Sequence, residues 1–582
     1  MLFDLVTTDE RVRKGLIELS RSRPFSFGKG DRKIVAKQSQ RLYINANKNE
    51  IVVEYPTLSK FYFAFGCLLA RCDEENFAVE FAGTETRLSF LRDCSNNAAL
   101  SRGGFCELVQ TLALLGFDKV LLYTEDLMDI PSLPYLGHAR PRYSEDDFHW
   151  FDEYAKTFGI ELVPCIQTLS PFENARNRDA FGRVMNVRGA LHVGREETYA
   201  FVETLVAFCR RAFSSREIHL GMEYPPTWKR DLQVNESLAE KFLGHLQEVS
   251  KIARKYDFTP CVWSDMFFVS SLSSERYDGE IFFRDEIPPA FDKAVRLAID
   301  AGTGYGFAPC CDYAKANADR AIETAKSQKV DEFLVTAWGH NGGESSAFSA
   351  LPCCLYLSEY KAFGKVDTTA LNSRTAALFG NDYEDFCALG LPNGMAKNAI
   401  NPAKYIFYND PLCGICDAHV LENFPAVYAQ SSRVLQTACD KGGRFSYLFK
   451  TMEILCAVLS GKSALGIRLT TAYKAKNRRE LRCIADEIIP ETLDALRHFH
   501  ETFFQQWQRE NRSWGFECFD ARIGGVEERL LQTAKTLNAY LAGEMDIIEE
   551  LEQPRFSYFV GVETGQPILL NAYRRIASGS DI

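Results

Sequence analysis

At 582 residues the chain exceeds one ordinary core, and two to four domains are expected. Its 46% hydrophobic and 25% charged content is that of a soluble globular protein, and a net charge of −11 argues against nucleic-acid or anionic-membrane partners, which reward basic patches. The opening MLFDLVTTDERVRKG has no sustained apolar run, and no stretch approaches the roughly 20 apolar residues of a membrane span, so neither a secretory leader nor a membrane segment is expected.

Residues 1–86 mix short strand-like runs (Arg41–Ile44, Glu50–Tyr55) with a helix-like run at Leu58–Cys72, which predicts a small α/β domain. From 87 to 365, strand and helix patterns alternate. The strand candidates are Leu88–Asp93, Lys119–Thr124, Glu161–Gln167, Glu217–Gly221, Pro260–Ser264, Glu280–Arg284, Gly304–Ala308 and Glu332–Trp338. Between them, Ser144 caps a helix with Phe148, Phe151, Ala155 and Phe158 on one face and Gly159 at its end, and another helix runs from about Gly104 to Leu115. Eight strands in this length fit a (β/α)8 TIM barrel better than an open sheet. From 366 to 582 the alternation stops, and Phe424–Leu435, Ser446–Leu459, Arg478–Gln508 and Gly525–Leu551 predict a helical C-terminal domain. Eighteen Cys without a leader read as reduced, mostly buried thiols of a cytoplasmic protein. The lone C-x-x-C at Cys413–Cys416 is expected to be helix packing. No metal cluster and no cofactor is implied, since Gly302-x-Gly304-x-Gly306 lacks the strand-to-helix context of a phosphate loop.

A barrel carries its pocket at the C-terminal ends of its strands. Collected there are Asp93, Asn96 and Asn97; Glu125 and Asp126; Gln167; Glu223 and Tyr224; Trp263 and Asp265; Arg284, Asp285 and Glu286; and Trp338, His340, Asn341 and Glu344. Taken singly, each is more often structural. Asp93 and Asp126 suit loop-holding, Trp263 and Trp338 suit barrel-top packing, and His340 suits a hydrogen-bonded loop. Together they suit a sugar site, with aromatic faces against the C–H faces of a pyranose and acids accepting hydroxyls and supplying protons.

The segment IHLGMEY at Ile218–Tyr224 resembles the H-x-G-x-D-E signature of glycoside hydrolase family 20, the β-N-acetylhexosaminidases, and is closest to its compact intracellular-type branch. Further marks in order are DCSNN at Asp93–Asn97, LLYTED at Leu121–Asp126, ELVPCIQTL at Glu161–Leu169, WSDMFF at Trp263–Phe268, GFAP at Gly306–Pro309, WGHNGGE at Trp338–Glu344, YNDPLCG at Tyr408–Gly414 and FDARIGG at Phe519–Gly525. The resemblance implies exo-hydrolysis of a terminal β-linked sugar in which the substrate's own 2-acetamido group is the nucleophile, an exception to the two-carboxylate scheme. Glu223 would take the place of the Asp that orients the acetamido group, and Tyr224 that of the Glu that protonates the leaving oxygen. The family's sugar-binding Arg falls at Asn96, a His at Pro171, and an Asp after Trp-Gly at His340. Retained are Glu125, Asp126, Trp263, Asp265, Trp338 and Glu344, the last resembling a ligand of the sugar's outer hydroxyls. Asp265, Asp285 and Glu286 are the other candidate proton donors. A sugar lacking the acetamido group, or a silent carbohydrate-binding protein, are the alternative readings, and the helical appendage leaves a homodimer open.

Overall fold

The computed structural model describes residues 2–30, 32–223, 236–263, 296–394 and 400–580. The N-terminal sheet contains β1 (Leu2–Val6), β2 (Ser26–Phe27), β3 (Arg32–Gln38), β4 (Tyr43–Ala46), β5 (Glu50–Tyr55) and β6 (Phe77–Glu80), in the order β2-β1-β3-β5-β4-β6. The first four strands in that order run parallel, and β4 and β6 are antiparallel to their neighbours. The helix Leu58–Leu69, capped by Thr57 and buried along nearly its whole length, packs on this sheet.

The second sheet is entirely parallel: β7 (Arg87–Asp93), β8 (Lys119–Tyr123), β9 (Glu161–Cys165), β10 (Glu217–His219), β11 (Thr259–Cys261), β12 (Arg296–Asp300) and β13 (Glu332–Ala337), in the order β11-β10-β9-β8-β7-β13-β12. Its central strands are buried on both faces, as parallel strands covered by helices must be. The side-chain period of two separates those faces. Leu91, Leu121, Tyr123, Val163, Cys165 and Leu334 form one interior cluster with Trp263 and Trp338, while Leu88, Phe90, Val120, Leu122, Leu162, Phe333 and Val335 join the core beneath the surrounding helices.

Ion pairs at the N-terminal end show that the sheet curls back on itself. Arg296, on the edge strand β12, donates to Cys261 Sγ on the opposite edge strand at 3.4 Å and to Glu217 on β10 at 2.8 Å. Lys119 Nζ lies 2.7 Å from Glu217 and 3.7 Å from Glu332, which also accepts from Ser89 at 2.7 Å. Burial opposes ionisation there, but Arg296 and Lys119 hold the Glu217 carboxyl down at about 2. The seven strands thus follow the order and closure of a (β/α)8 barrel. The sixth expected strand, Glu280–Arg284, lies outside the described residues.

One expected strand is misplaced. Gly304–Ala308 is loop, and the strand is Arg296–Asp300. The glycine spacing explains the error: Gly302 and Gly306 both have positive φ (73° and 128°), and Asp300 Oδ1 accepts the Gly302 N–H at 2.8 Å, closing a turn immediately after the strand.

The expected Ser144 cap forms. Its hydroxyl and the Asp147 carboxylate make a capping box at the start of Glu145–Thr157, and Gly159 follows with φ 72°. Beyond β13 the described residues are helical or irregular. The run predicted as Arg478–Gln508 is interrupted by a π-helical turn at Ile484–Ile488, just before Pro490, which cannot complete the regular hydrogen-bond ladder. The last long helix is Glu517–Ala542, ended by Gly543 with φ 79°, not Gly525–Leu551. Ser446–Lys474 qualifies the expectation of no span-like stretch: it is long and apolar enough to cross a membrane, yet 56% of its most apolar window is buried inside the protein. All 18 Cys are free thiols and none is exposed. Cys413 and Cys416 sit in a turn after the helix Pro402–Tyr408 instead of in a helix. Glu107, on the helix Arg102–Leu114, pairs with Arg23 from the N-terminal sheet region (3.1 Å) and with Arg444 from the helical region (2.6 Å), joining three parts of the chain.

Candidate active site at the barrel mouth

Trp263 and Trp338, at the C-terminal ends of β11 and β13, lie 5.8 Å apart between ring centroids. Tyr123 packs edge-on to Trp338 at 5.9 Å, His219 lies 4.4 Å from Trp263, and the exposed His340 stacks on Trp338 at 5.5 Å with an interplanar angle of 9°. The half-buried indoles make an aromatic wall of the kind that takes a sugar face.

Glu223 enters this mouth on a sharply folded segment. After β10 the chain passes through Gly221 (φ 68°) and Met222 (φ 70°), two consecutive left-handed residues. Two side chains hold that turn. His219 Nδ1 accepts the Gly221 N–H at 3.1 Å, and Gln167 Oε1 accepts the N–H groups of Thr168, Leu169 and Met222 at 3.0–3.1 Å. Burial pushes the His219 imidazole down to about 3, so it stays neutral and can act as that acceptor. Burial, with the Glu223, Glu125 and Asp93 carboxylates beyond it, raises the Tyr123 phenol well above its ordinary value.

Around β7 and β8 the acids divide their roles. Asp93 is fully used: Oδ1 accepts from the Ser95 N–H and hydroxyl (2.8 and 2.7 Å), and Oδ2 accepts from Asn96 Nδ2 (3.1 Å) and the Gly339 N–H (3.0 Å), tying the loop after β7 to the loop after β13. Asn96 is therefore half-buried and bound to Asp93, and does not project as a sugar anchor. Asp126 is paired with Arg140, which also donates to the Ser95 carbonyl and, at 3.2 Å, to Asn97 Oδ1. That makes Asp126 a loop brace, the structural role its position also suited. Glu125 is buried, holds φ 48°, and its Oε1 has no hydrogen-bond partner among the described residues. Burial first, then the Asp126 charge, pushes its carboxyl well up, against the pull of Arg140. Burial thus favours the protonated form of Glu125 at the end of β8.

Glu344 lies behind the mouth. It is 1% exposed, with Lys404 Nζ at 2.6 Å, the Tyr408 hydroxyl at 2.8 Å and Arg522 at 3.4 Å. Its carboxylate joins the barrel to the helical region. Tyr224, Asp265, Arg284, Asp285 and Glu286 lie outside the described residues.

The strand displacement hid Asp300, which ends β12 and accepts from the Tyr305 hydroxyl at 2.9 Å and the Gly302 N–H. Its signal was an apolar RLAID run ending in an acid, the same pattern as LSFLRD at β7. Arg140 carried no local signal, and Arg522 lies in the FDARIGG mark without any sign that it reaches the loop after β13.

Residues 384–567 match the Glycoside Hydrolase 20C C-terminal domain. No curated protein matches the chain. Among solved structures, a β-N-acetylhexosaminidase from Bacteroides fragilis is similar at 15% identity and a TM-score of 0.47, covering 63% of this chain and 87% of that one. An exo β-N-acetylglucosaminidase from Vibrio harveyi in complex with N-acetylglucosamine gives 14% and 0.46 over 64% and 72%. The Streptomyces plicatus N-acetyl-β-hexosaminidase gives 12% and 0.42 over 67% and 91%. The resemblance to glycoside hydrolase family 20 read along the sequence is supported by this match to the family's C-terminal domain over residues 384–567.

Proposed function

We propose that the protein is an exo-acting glycoside hydrolase that removes a terminal β-linked sugar, with an N-acetylhexosamine the first choice, and that it works in the cytoplasm without a cofactor. The observation that carries this reading is the aromatic wall of Trp263 and Trp338 beside a carboxylate, Glu223, delivered on a rigidly hydrogen-bonded turn. The indoles would hold the sugar face. Glu223 would orient the substrate's acetamido group so that its oxygen attacks the anomeric carbon, and a proton donor would supply the leaving oxygen. Tyr224 holds the position of that donor in the family pattern, and its ordinary pKa of about 10 makes it a poor acid beside a carboxyl.

A second reading has its own support. Asn96 stands where the family places a sugar-binding Arg and is bound to Asp93, so a different hydroxyl pattern, on a sugar without the acetamido group, suits this mouth. There Glu223 would be the nucleophile of an ordinary retaining mechanism.

Hydrolysis of aryl β-glycosides of N-acetylglucosamine, N-acetylgalactosamine, galactose, glucose and glucuronic acid tests both, with Glu223→Gln and Tyr224→Phe alongside. Release from the acetamido sugars that disappears in Glu223→Gln supports the first reading. Release only from sugars lacking that group supports the second. Absence of turnover on the whole panel sinks both and leaves a carbohydrate-binding protein.

A further inference from the structure

The loop after β13 carries Trp338 and His340 into the mouth and then folds through three consecutive left-handed residues: Asn341 (φ 61°), Gly342 (φ 108°) and Gly343 (φ 77°). Asn and Gly tolerate this region, but three in succession leave the turn without a regular ladder of its own, and no side chain caps it. The Asn341 side chain does not help, since its Oδ1 has no hydrogen-bond partner among the described residues.

The turn closes through the Gly343 N–H, which donates to the Gly339 carbonyl at 2.8 Å, and Asp93 accepts the Gly339 N–H at its start. A further hold comes from the far end of the chain. Arg522, on the helix Glu517–Ala542, donates from Nη1 to the Asn341 carbonyl at 2.6 Å, 181 positions away in sequence. The same nitrogen lies 2.9 Å from where a Cβ on Gly342 would stand, so the guanidinium occupies the space that the missing side chain leaves. Arg522 is itself fixed by the Glu344 carboxylate at 3.4 Å and by the Tyr573 ring, 4.9 Å from its guanidinium carbon. Glu344 does not depend on Arg522, because Lys404 and Tyr408 bind it as well. Removing Arg522 would therefore strand no buried carboxylate. It would free the Asn341 carbonyl and loosen the middle of the turn, with the Gly339 end still held by Asp93.

We propose that Arg522 is a positioning residue that shapes the β13 wall of the sugar site from the C-terminal helical region, so that stacking of the substrate on Trp338 and His340 depends on a side chain of the part matching the 20C C-terminal domain. The inference rests on the sugar-hydrolase reading above. It gives that region a role in substrate binding: Lys404, Tyr408 and Arg522 all fall within the matched residues 384–567 and converge on this one loop.

The experiment compares wild type, Arg522→Ala and Arg522→Lys, as full chains, on the aryl β-glycoside that the wild type turns over best. A charged donor lost from a loop carbonyl should raise KM roughly ten- to hundredfold, with kcat changed far less, because the wall binds the sugar and does not touch the reacting bond. Guanidinium ion at non-denaturing concentration should restore much of the lost affinity in Arg522→Ala and leave wild type unchanged. Arg522→Lys should fall between the two, since a point charge cannot replace the planar fork. A lowered melting temperature with unchanged KM would make Arg522 merely structural and overturn the proposal, as would a KM defect that guanidinium does not relieve. Wild type without turnover overturns the hydrolase reading and this inference with it, an outcome distinguishable from failure of the inference alone.

Discussion

Gly221→Ala puts the placement of Glu223 to the test. At φ 68° an L-residue pays about 1–2 kcal/mol for the left-handed conformation. A Cβ there would stand 2.7 Å from the Ile166 carbonyl and 2.8 Å from Gln167 Oε1, both closer than real Cβ atoms come. Gln167 cannot retreat freely, because the same oxygen accepts from Thr168, Leu169 and Met222. Losing one or two of those bonds adds about 0.5–1.5 kcal/mol each, so the substitution should cost about 2–4 kcal/mol. Because Glu223 follows two residues later, a displacement of about 1 Å should also lower kcat/KM on the order of a hundredfold. Gly244→Ala is the control. It lies in the helix Glu236–Lys255 with no atom within 4 Å of the added methyl, and should stabilise by about 0.5–1 kcal/mol with activity unchanged. Urea unfolding and aryl-glycoside turnover on both variants decide the matter. A Gly221→Ala protein as stable and as active as Gly244→Ala would refute the view that this turn is held rigid for Glu223.

Two pH predictions follow from buried titratable groups. His219 is depressed from 6.5 to about 3, so the unfolded chain binds its proton first and stability is lost as pH falls from about 6.5 towards 3. That amounts to roughly 4–5 kcal/mol over the window. His219→Asn, which keeps an acceptor for the Gly221 N–H, should remove that share of the acid slope in unfolding measured against pH, and an identical slope in both proteins would refute the neutral-imidazole assignment. Glu125 is raised, the opposite case: its contribution is present below about 4.5 and is lost as pH rises, since only the unfolded chain then ionises. Glu125→Gln should therefore gain stability relative to wild type with rising pH. A wild-type protein that shows no protonated-carboxyl stretch in infrared difference spectra against Glu125→Gln would contradict it.

The architecture was legible because its signals are local and repeated. Leu88–Asp93, Lys119–Thr124 and Glu332–Trp338 each read as buried apolar runs ending in polar residues, and each became a parallel strand within a residue or two. The strand at Arg296–Asp300 was missed because the glycines beyond it drew the assignment downstream, although glycines that turn the chain are poor strand formers. At the site, sequence located the acids but not their obligations. Glu125, Asp126 and Glu344 read alike as strand-end carboxylates. They differ only because Arg140 arrives from 14 residues away and Arg522 from 178, distances over which periodicity says nothing.

Those obligations also fix the loops around the mouth. Asp93, Gln167, His219 and Arg522 direct their polar atoms at backbone groups of the loops after β7, β9, β10 and β13. The loop geometry is thus set from behind the pocket, by groups already satisfied within the protein. At the mouth itself stands a smaller set: the Trp263 and Trp338 rings, His340 and Glu223. Asn96 belongs to the frame as well, since its Nδ2 donates to Asp93 Oδ2 and to Ser95 Oγ, both at 3.1 Å. Substitutions behind the pocket, at Gln167 or His219, should therefore lower activity and stability together, as read by aryl-glycoside turnover and urea unfolding on the same variants.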